Sequence, residues 1–159
     1  MWLVVKIVTV VVLMIIIILN YNRLKRNRQI TILKNKSKLI TDNAVEFALN
    51  RLHGNEYGIN SEILRVTEIV SKVWGKRVMV FEYQFQMKSP SEENIGKIRN
   101  IFFNLFEEFE MMNLVKKSVE AKSAFEVTDL WYLDGILHLE VAHLVNVETI
   151  MYTKDLKKV

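Results

Sequence analysis

The 159-residue chain contains no cysteine, one proline and five glycines. The absence of cysteine excludes disulfides, thiolate zinc sites and thiol nucleophiles. The scarcity of glycine argues against a phosphate-binding loop, and no Walker loop, HExxH pair, GxGxxG or nucleophile elbow occurs. We therefore expect a protein that is not an enzyme and that uses no cofactor and no metal ion.

Charge is almost missing from the beginning of the chain. Lys6 is the only charged side chain among the first nineteen residues, and no acidic residue precedes Asp42. An apolar run of about 18 to 20 residues is long enough to cross a bilayer as a helix. No small-residue cleavage site follows the run, so we predict an uncleaved transmembrane anchor at residues 1–22.

A basic stretch follows the apolar run at residues 23–40. The positive-inside rule then places the C-terminal part in the cytoplasm, as a single-pass protein of the cell membrane. The stretch is predicted to be a connector, either a solvated linker or a helix extension. A compatible interpretation is that it lies on anionic lipid headgroups, contacted by Arg23, Lys25, Arg26 and Arg28. Because no aromatic residues are interleaved, we expect no binding of nucleic acid.

Residues 41–159 have the size of one domain that can form a core without disulfides. A helix is predicted to begin at Thr41-Asp42-Asn43, which are good cap residues, and to end at Gly54. A second helix is predicted from Asn60 to Gly75, because apolar residues recur at helical spacing, at Ile63, Val66, Ile69, Val70, Val73 and Trp74.

Alternating side chains predict a strand over residues 77–87, with one aromatic and apolar face. A long helix is predicted from Pro90 to Val115, with Ser89 as its cap. Its apolar stripe is too short for a coiled coil and favours packing on a sheet. The stripe contains Ile95, Ile98, Phe102, Leu105, Phe109 and Met112, widened by Phe103 and Phe106.

Residues 124–145 are predicted to form a β-hairpin, because Asp134-Gly135 is the pair expected of a two-residue type I′ turn. Residues 147–158 could form a short strand or a helix. The predicted fold class is α+β: a single N-terminal transmembrane helix, then helices packed on an antiparallel sheet, in the order α-α-β-α-β-β. The predicted domains are the anchor 1–22, the basic connector 23–40 and the cytoplasmic domain 41–159.

The predicted turn also sets the pairing of the hairpin. Trp131 should lie opposite His138, and Asp129 opposite Glu140, all on one face. Farther along, Val127 should pair with Ala142, Thr128 with Val141, and Glu126 with His143 as a surface pair. Two facing carboxylates repel each other unless a cation, a proton or a basic side chain relieves them.

Asp129, Trp131, His138 and Glu140 are therefore the candidate ligand-binding residues. They could hold a divalent cation or move a proton. The alternative is a solvated sheet face with a Lys or Arg from elsewhere between the acids.

Both faces of the predicted hairpin are rich in apolar side chains. We therefore expect either that other parts of the chain cover both faces of the sheet or that a partner covers one of them. We favour a partner, either another protein or a second copy. The predicted function is a membrane-anchored adaptor or complex subunit whose α+β domain binds a protein partner. The alternative is a module that binds a small ligand, a lipid headgroup or a cation through the 124–145 hairpin.

Overall fold

The order of elements in the computed structural model is α1, β1, β2, α2, β3, β4, α3, and residues 1–52, 58–68, 75–88 and 90–158 are described. The predicted α+β class is confirmed, but the predicted order of elements is wrong. The helices are α1 (Trp2–Leu52), α2 (Glu92–Asn113) and α3 (Val147–Leu156), with a short 3-10 helix at Gly75–Arg77. The strands are β1 (Ile59–Glu68), β2 (Val80–Met87), β3 (Phe125–Leu133) and β4 (Ile136–His143).

The chain divides into two compact units, residues 1–35 and residues 36–159. The first unit consists of the N-terminal part of α1, where the large apolar side chains from Ile7 to Leu19 are exposed. Near the N-terminus, α1 is long and apolar enough to cross a membrane. The basic residues of the predicted connector continue the same helix, and Arg23, Lys25, Arg26 and Arg28 are exposed.

The predicted helix start at Thr41-Asp42-Asn43 is wrong, because these residues lie inside α1. Neither glycine nor proline occurs before Gly54, so nothing in the sequence interrupts the helix. The Thr41 hydroxyl donates to the carbonyl of Ser37, four residues earlier, instead of capping a new helix. Asp42 accepts hydrogen bonds from Lys38 and from the hydroxyl of Tyr83 on β2.

The predicted helix from Asn60 to Gly75 is also wrong where the structure describes it, because residues 59–68 form β1. Residues 69–74 lie outside the described residues. β1 pairs with β2, with register shifts between Ile59 and Ile63 and between Ile63 and Arg65. These bulges break strict alternation and place Ile59, Ile63 and Val66 opposite Met87, Phe85 and Tyr83 of β2. The resulting spacing of four and three residues imitates the helical period.

The four strands form one antiparallel sheet in the order β1-β2-β4-β3. The predicted strand over residues 77–87 is confirmed as β2, which begins three residues later. Its aromatic face is fully buried, as are the facing side chains of β4. This buried face contains Phe81, Tyr83, Phe85, Leu137, Leu139 and Val141.

Residues 36–52 of α1 and the whole of α2 are the helices linked to this buried face. Tyr83 reaches Asp42 of α1 through a 2.8 Å hydrogen bond. The ring of Phe106 on α2 lies 5.6 Å from that of Phe125 on β3. Phe109 lies 5.6 Å from Phe47 of α1, so the two helices also pack on each other. The sheet face and both helices thus share one core.

The predicted long helix is confirmed as α2, but its cap is Ser91, whose side chain accepts from the Asn94 amide. Ser89 lies outside the described residues. Phe102 is fully buried, whereas Phe103 is 44% exposed and Met112 is also exposed. The buried stripe is therefore narrower than predicted and consists of Ile98, Phe102, Phe106 and Phe109.

Residues 147–156, for which the sequence left strand and helix open, form α3. Asn146 caps it by accepting from the amide of Thr149, and the Thr149 hydroxyl accepts from the amide of Met79. α3 contributes to a second core cluster, which contains Val78, Val80, Ala142, Leu144 and Ile150. Val80 and Ala142 lie on the face opposite the buried one, so α3 covers only that end of the second face.

Candidate functional site on the open sheet face

The hairpin turn is the predicted one, with positive φ at both Asp134 (48°) and Gly135 (86°). From this turn the register continues as predicted for five pairs, through Asp129 opposite Glu140. The predicted site residues Asp129, Trp131, His138 and Glu140 therefore lie on one face. We call the part of the second sheet face that α3 leaves uncovered the open face; it contains Glu82, Gln84, Gln86, Asp129, Trp131, Leu133, Ile136 and His138, and the buried Glu140 lies at its border with α3.

Beyond Asp129 the predicted pairing is wrong, because a bulge lies between Val127 and Asp129. Val127 pairs with Val141, Glu126 with Ala142, and Phe125 with His143, which moves each partner by one residue. The predicted surface pair of Glu126 and His143 does not form. Glu126 instead accepts from Lys157, and the His143 side chain is buried against Phe125.

Trp131 and His138 form the centre of the open face. Their rings stack with centroids 4.6 Å apart and planes 12° from parallel. His138 Nδ1 lies 2.7 Å from Glu82 Oε1 on β2, and the Gln84 amide donates to the same oxygen at 2.9 Å. The imidazole is therefore held between an indole ring and a carboxylate, both of which fix its orientation.

Glu140, although it lies opposite Asp129, points toward other partners and is 8% exposed. The Thr128 hydroxyl at the bulge lies 2.9 Å from its Oε1, and the Tyr152 hydroxyl of α3 lies 3.3 Å from the same atom. Burial, together with the charges of Asp129 and Glu82, raises the pKa of Glu140 despite these hydrogen bonds. Burial and the nearby Glu140 carboxylate raise the pKa of Tyr152 to about 12.

The pKa of Glu82 shifts in the opposite direction. Burial alone would raise this pKa, but hydrogen bonds from Gln84 and His138, together with electrostatic interactions with His138 and Arg65, outweigh the effect of burial and lower the pKa. Glu82 thus remains a carboxylate while Glu140 takes up a proton more readily. The open face therefore holds its acids in two different electrostatic environments.

Asp129 is exposed, and its carboxylate accepts from the amide of Leu130. The guanidinium of Arg99 on α2 approaches it to 3.5 Å, so a basic side chain does lie near one of the paired acids. Among the described residues, no group of three or more His, Asp and Glu side chains is placed to hold a metal ion. The geometry thus offers no support for the predicted cation-binding use of this hairpin.

A groove of about 540 Å³ lies beside the hairpin turn, next to the open face. Its apolar lining comes from Leu64, Met87 and Ile136, and its polar lining includes Gln86, Lys88 and Asp134. Leu133, which lies at this end of the open face, is 56% exposed. The end of the sheet farthest from α3 is therefore apolar as well as accessible.

Glu82, Gln84, Thr128 and Tyr152 belong to this network but were absent from the predicted site. The alternation of residues 77–87 puts Glu82 and Gln84 on the strand face opposite the aromatic one. It could not indicate that this strand borders β4, because strand order depends on long-range pairing. Thr128 joins the network only through the bulge.

The chain was compared with protein families, with curated proteins and with solved structures. No family matches it, and neither a curated protein nor a solved structure does.

Replacing Asp129 with asparagine should change the free energy of unfolding by less than about 0.5 kcal/mol, because the carboxylate is exposed and its contact with Arg99 is long. Divalent cations should not shift the melting temperature of either form. Thermal melts of the two proteins with and without magnesium or calcium measure both effects. A cation-dependent rise in melting temperature that disappears in Asp129→Asn would contradict this expectation.

Proposed function

We propose that this chain is a single-pass membrane-anchored adaptor or complex subunit whose α+β domain lies in the cytoplasm and binds a protein partner at the membrane. The observation that carries the proposal is the open face. One face of the sheet is buried under two helices, whereas α3 covers only the end of the other face. The anchor would confine the domain to a surface and raise its effective concentration for a membrane partner.

Support for the anchor comes from the first unit of the chain. Its apolar side chains are exposed along a continuous helix, an arrangement that water disfavours and lipid favours. The basic residues that follow support a cytoplasmic domain by the positive-inside rule. They also suit contact with anionic headgroups, at about 1 kcal/mol for each basic residue near the surface.

Support for a protein partner comes from the composition of the open face. Leu133 and Ile136 offer apolar area at one end, the Trp131 ring lies in the next row, and carboxylates follow in the row after that. Tryptophan is enriched among residues that dominate binding energy. A partner that places a basic side chain near Glu82 and Asp129 would relieve the charges that raise the pKa of Glu140.

A small-ligand module is the second candidate, and the groove beside the hairpin turn is the feature that favours it. Its volume of about 540 Å³ lies within the range of ligand pockets. Its polar groups Gln86, Lys88 and Asp134 could orient a ligand. A partner's side chain could fill the same groove, so this candidate and the first share one surface.

The anchor and its direction can be tested on intact cells. The full chain should remain in the membrane pellet after carbonate extraction, and protease added outside should spare the domain, because the basic residues hold it inside. Immunoblotting with an antibody to residues 136–156 measures both results. Release by carbonate would contradict the anchor, and cleavage of the domain from outside would contradict the direction.

The partner surface can be tested by purifying tagged full-length chain from detergent-solubilised membranes. Leu133→Asp should abolish recovery of a co-purifying protein, because it adds a charge to the apolar end of the open face. Phe103→Asp is the matched control, since Phe103 is exposed to a similar degree but lies on α2. Recovery of the same proteins with both variants would argue against the open face as the binding surface.

A further inference from the structure

Strand β3 forms one edge of the sheet, since the strand order is β1-β2-β4-β3. Within the described part of the chain, no strand pairs with its outer side. The backbone amide and carbonyl groups along such an edge can pair with a strand of another molecule, which joins two sheets. β3 is regular from Asp129 to Leu133, where five residues pair one to one with β4. This regular segment has the length of an ordinary strand and is therefore a possible template for such pairing.

The hairpin turn determines which backbone groups of β3 point outward. Leu133 and Ile136 flank the two-residue turn and therefore form a hydrogen-bonded pair. Bonded and non-bonded pairs alternate along an antiparallel ladder. Leu130 is three residues from Leu133 and belongs to a non-bonded pair, so its amide and carbonyl groups point away from β4.

Side chains occupy backbone groups at the middle of this edge. The Leu130 amide donates to Oδ1 of Asp129 at 2.8 Å. The Val127 carbonyl, on the other side of the bulge, accepts from Nη1 of Arg99 at 3.3 Å. Nη2 of Arg99 lies 3.5 Å from the same Asp129 oxygen, so α2 reaches the strand edge through this side chain. We call Arg99 and Asp129 the edge pair.

Stability alone gives little reason for the edge pair. The side chains of Arg99 and Asp129 are 40% and 60% exposed, and exposed ion pairs contribute little to the free energy of unfolding. Water could satisfy backbone groups at an accessible edge equally well. A second strand, in contrast, would have to displace both side chains before it could bond to these groups. Charged side chains and bulges are common means of protecting a sheet edge from such pairing.

We propose that the edge pair blocks the addition of a strand to β3, and specifically the pairing of β3 with the same strand of a second copy of this chain. The inference goes beyond the proposed function and does not require it, because it rests on the geometry of the edge. Its consequence for the proposed partner is that the partner contacts side chains of the open face and does not extend the sheet at β3.

Self-association of the full chain in detergent micelles tests this inference. Arg99→Ala combined with Asp129→Ala should lower the dissociation constant of the dimer at least about tenfold, because the freed groups form backbone hydrogen bonds between the copies. Glu93→Ala combined with Lys97→Ala is the matched control, since it removes an exposed ion pair from the same helix. Sedimentation equilibrium of the three proteins measures the constants. Equal constants for all three, or equal decreases in both variants, would overturn the inference.

A distance measurement distinguishes strand pairing from association of a misfolded variant. Because the chain has no cysteine, Leu133→Cys provides a single site for a nitroxide label in each protein. Antiparallel pairing of two β3 strands centred on Leu130 would place the labels six residues, or about 20 Å, apart. Pulsed electron paramagnetic resonance should show this distance in the Arg99→Ala, Asp129→Ala protein only. A dimer of this protein with broadly distributed or longer distances would overturn the inference.

Asp129→Asn separates the hydrogen bond to Leu130 from the charge of the edge pair. The side-chain oxygen of asparagine can still accept from the Leu130 amide. This variant should therefore self-associate no more strongly than the wild type, whereas Asp129→Ala alone should associate more strongly. Asp129→Asn and Asp129→Ala proteins that associate equally strongly would contradict the protection of the Leu130 amide by this side chain.

Discussion

Replacing Phe102 with alanine should lower the free energy of unfolding by about 3–5 kcal/mol. The ring is fully buried between α2 and the sheet and lies 5.8 Å from the ring of Phe106. Its removal loses apolar burial and leaves a cavity that the β-sheet beneath can close only in part. Chemical denaturation of the detergent-solubilised full chain, followed by near-ultraviolet circular dichroism, measures the change.

Phe103 provides a matched control for this substitution, because it is the next residue on the same helix and is 44% exposed. Phe103→Ala is the same substitution in the same helix, so it changes helix propensity by the same amount. It should lower the free energy of unfolding by less than about 1 kcal/mol. Equal losses at the two positions would contradict the orientation of α2. A loss below about 1 kcal/mol at both would contradict its packing on the sheet.

Acidification should destabilise the domain through His143, and this is the second large effect that we expect. Burial lowers the pKa of His143 below its ordinary value of 6.5, despite the Lys116 carbonyl and the charge of Glu110. The Lys116 carbonyl can only accept, so Nε2 carries the proton and Nδ1 accepts from the Ser37 hydroxyl. A second proton on the ring would remove that acceptor and place a charge in the core.

The direction of the pH effect follows from proton binding. Below about pH 6.5 the unfolded chain binds a proton at this histidine that the folded chain still excludes. Stability is therefore complete above this pH and falls as the pH decreases toward the pKa of the folded state. The slope from one such group is at most about 1.4 kcal/mol per pH unit. Denaturation at a series of pH values from 7.5 to 5 measures it.

His143→Gln should be less stable at neutral pH but should lose this component of the slope, because glutamine does not titrate. Both proteins keep Glu140, whose raised pKa makes the stability of the domain increase as the pH falls. This contribution is therefore the same in both and cancels when their slopes are compared. The pKa values of Glu82, Glu110 and Glu148 are lowered, so protonation of these side chains affects stability only at lower pH, below their ordinary pKa of 4.5. Identical slopes for the two proteins between pH 6.5 and 5 would contradict the assigned role of His143.

Local signals predicted the elements whose structure depends on nearby residues. The Asp134-Gly135 pair specified the turn, and the turn specified the stacking of Trp131 on His138. The apolar stripe of α2 similarly indicated Phe102 and Phe109 as core residues. In each case the local structure depends on residues close to the sequence pattern that predicts it. The rest of the fold therefore did not have to be known.

Irregular backbone and long-range pairing caused the errors. The bulges in β1 gave apolar residues a helical spacing, and the bulge beside Thr128 moved the pairing of β3 by one residue. Good cap residues at 41–43 did not start a helix, because no glycine or proline had ended the preceding one. The partnership of Glu82 with His138 depends on the placement of β2 beside β4, which no local pattern indicates.

Site-specific photocrosslinking in native membranes can test whether the open face binds a protein partner, as we propose. A photoreactive residue replaces Leu133 in the full-length chain, and a second form carries it at Phe103 as the control. We expect a discrete crosslinked protein from position 133 only, and its loss when Trp131→Ala is added. The absence of any adduct at 133, or the same adducts from both positions, would contradict the proposed binding of a partner at the open face.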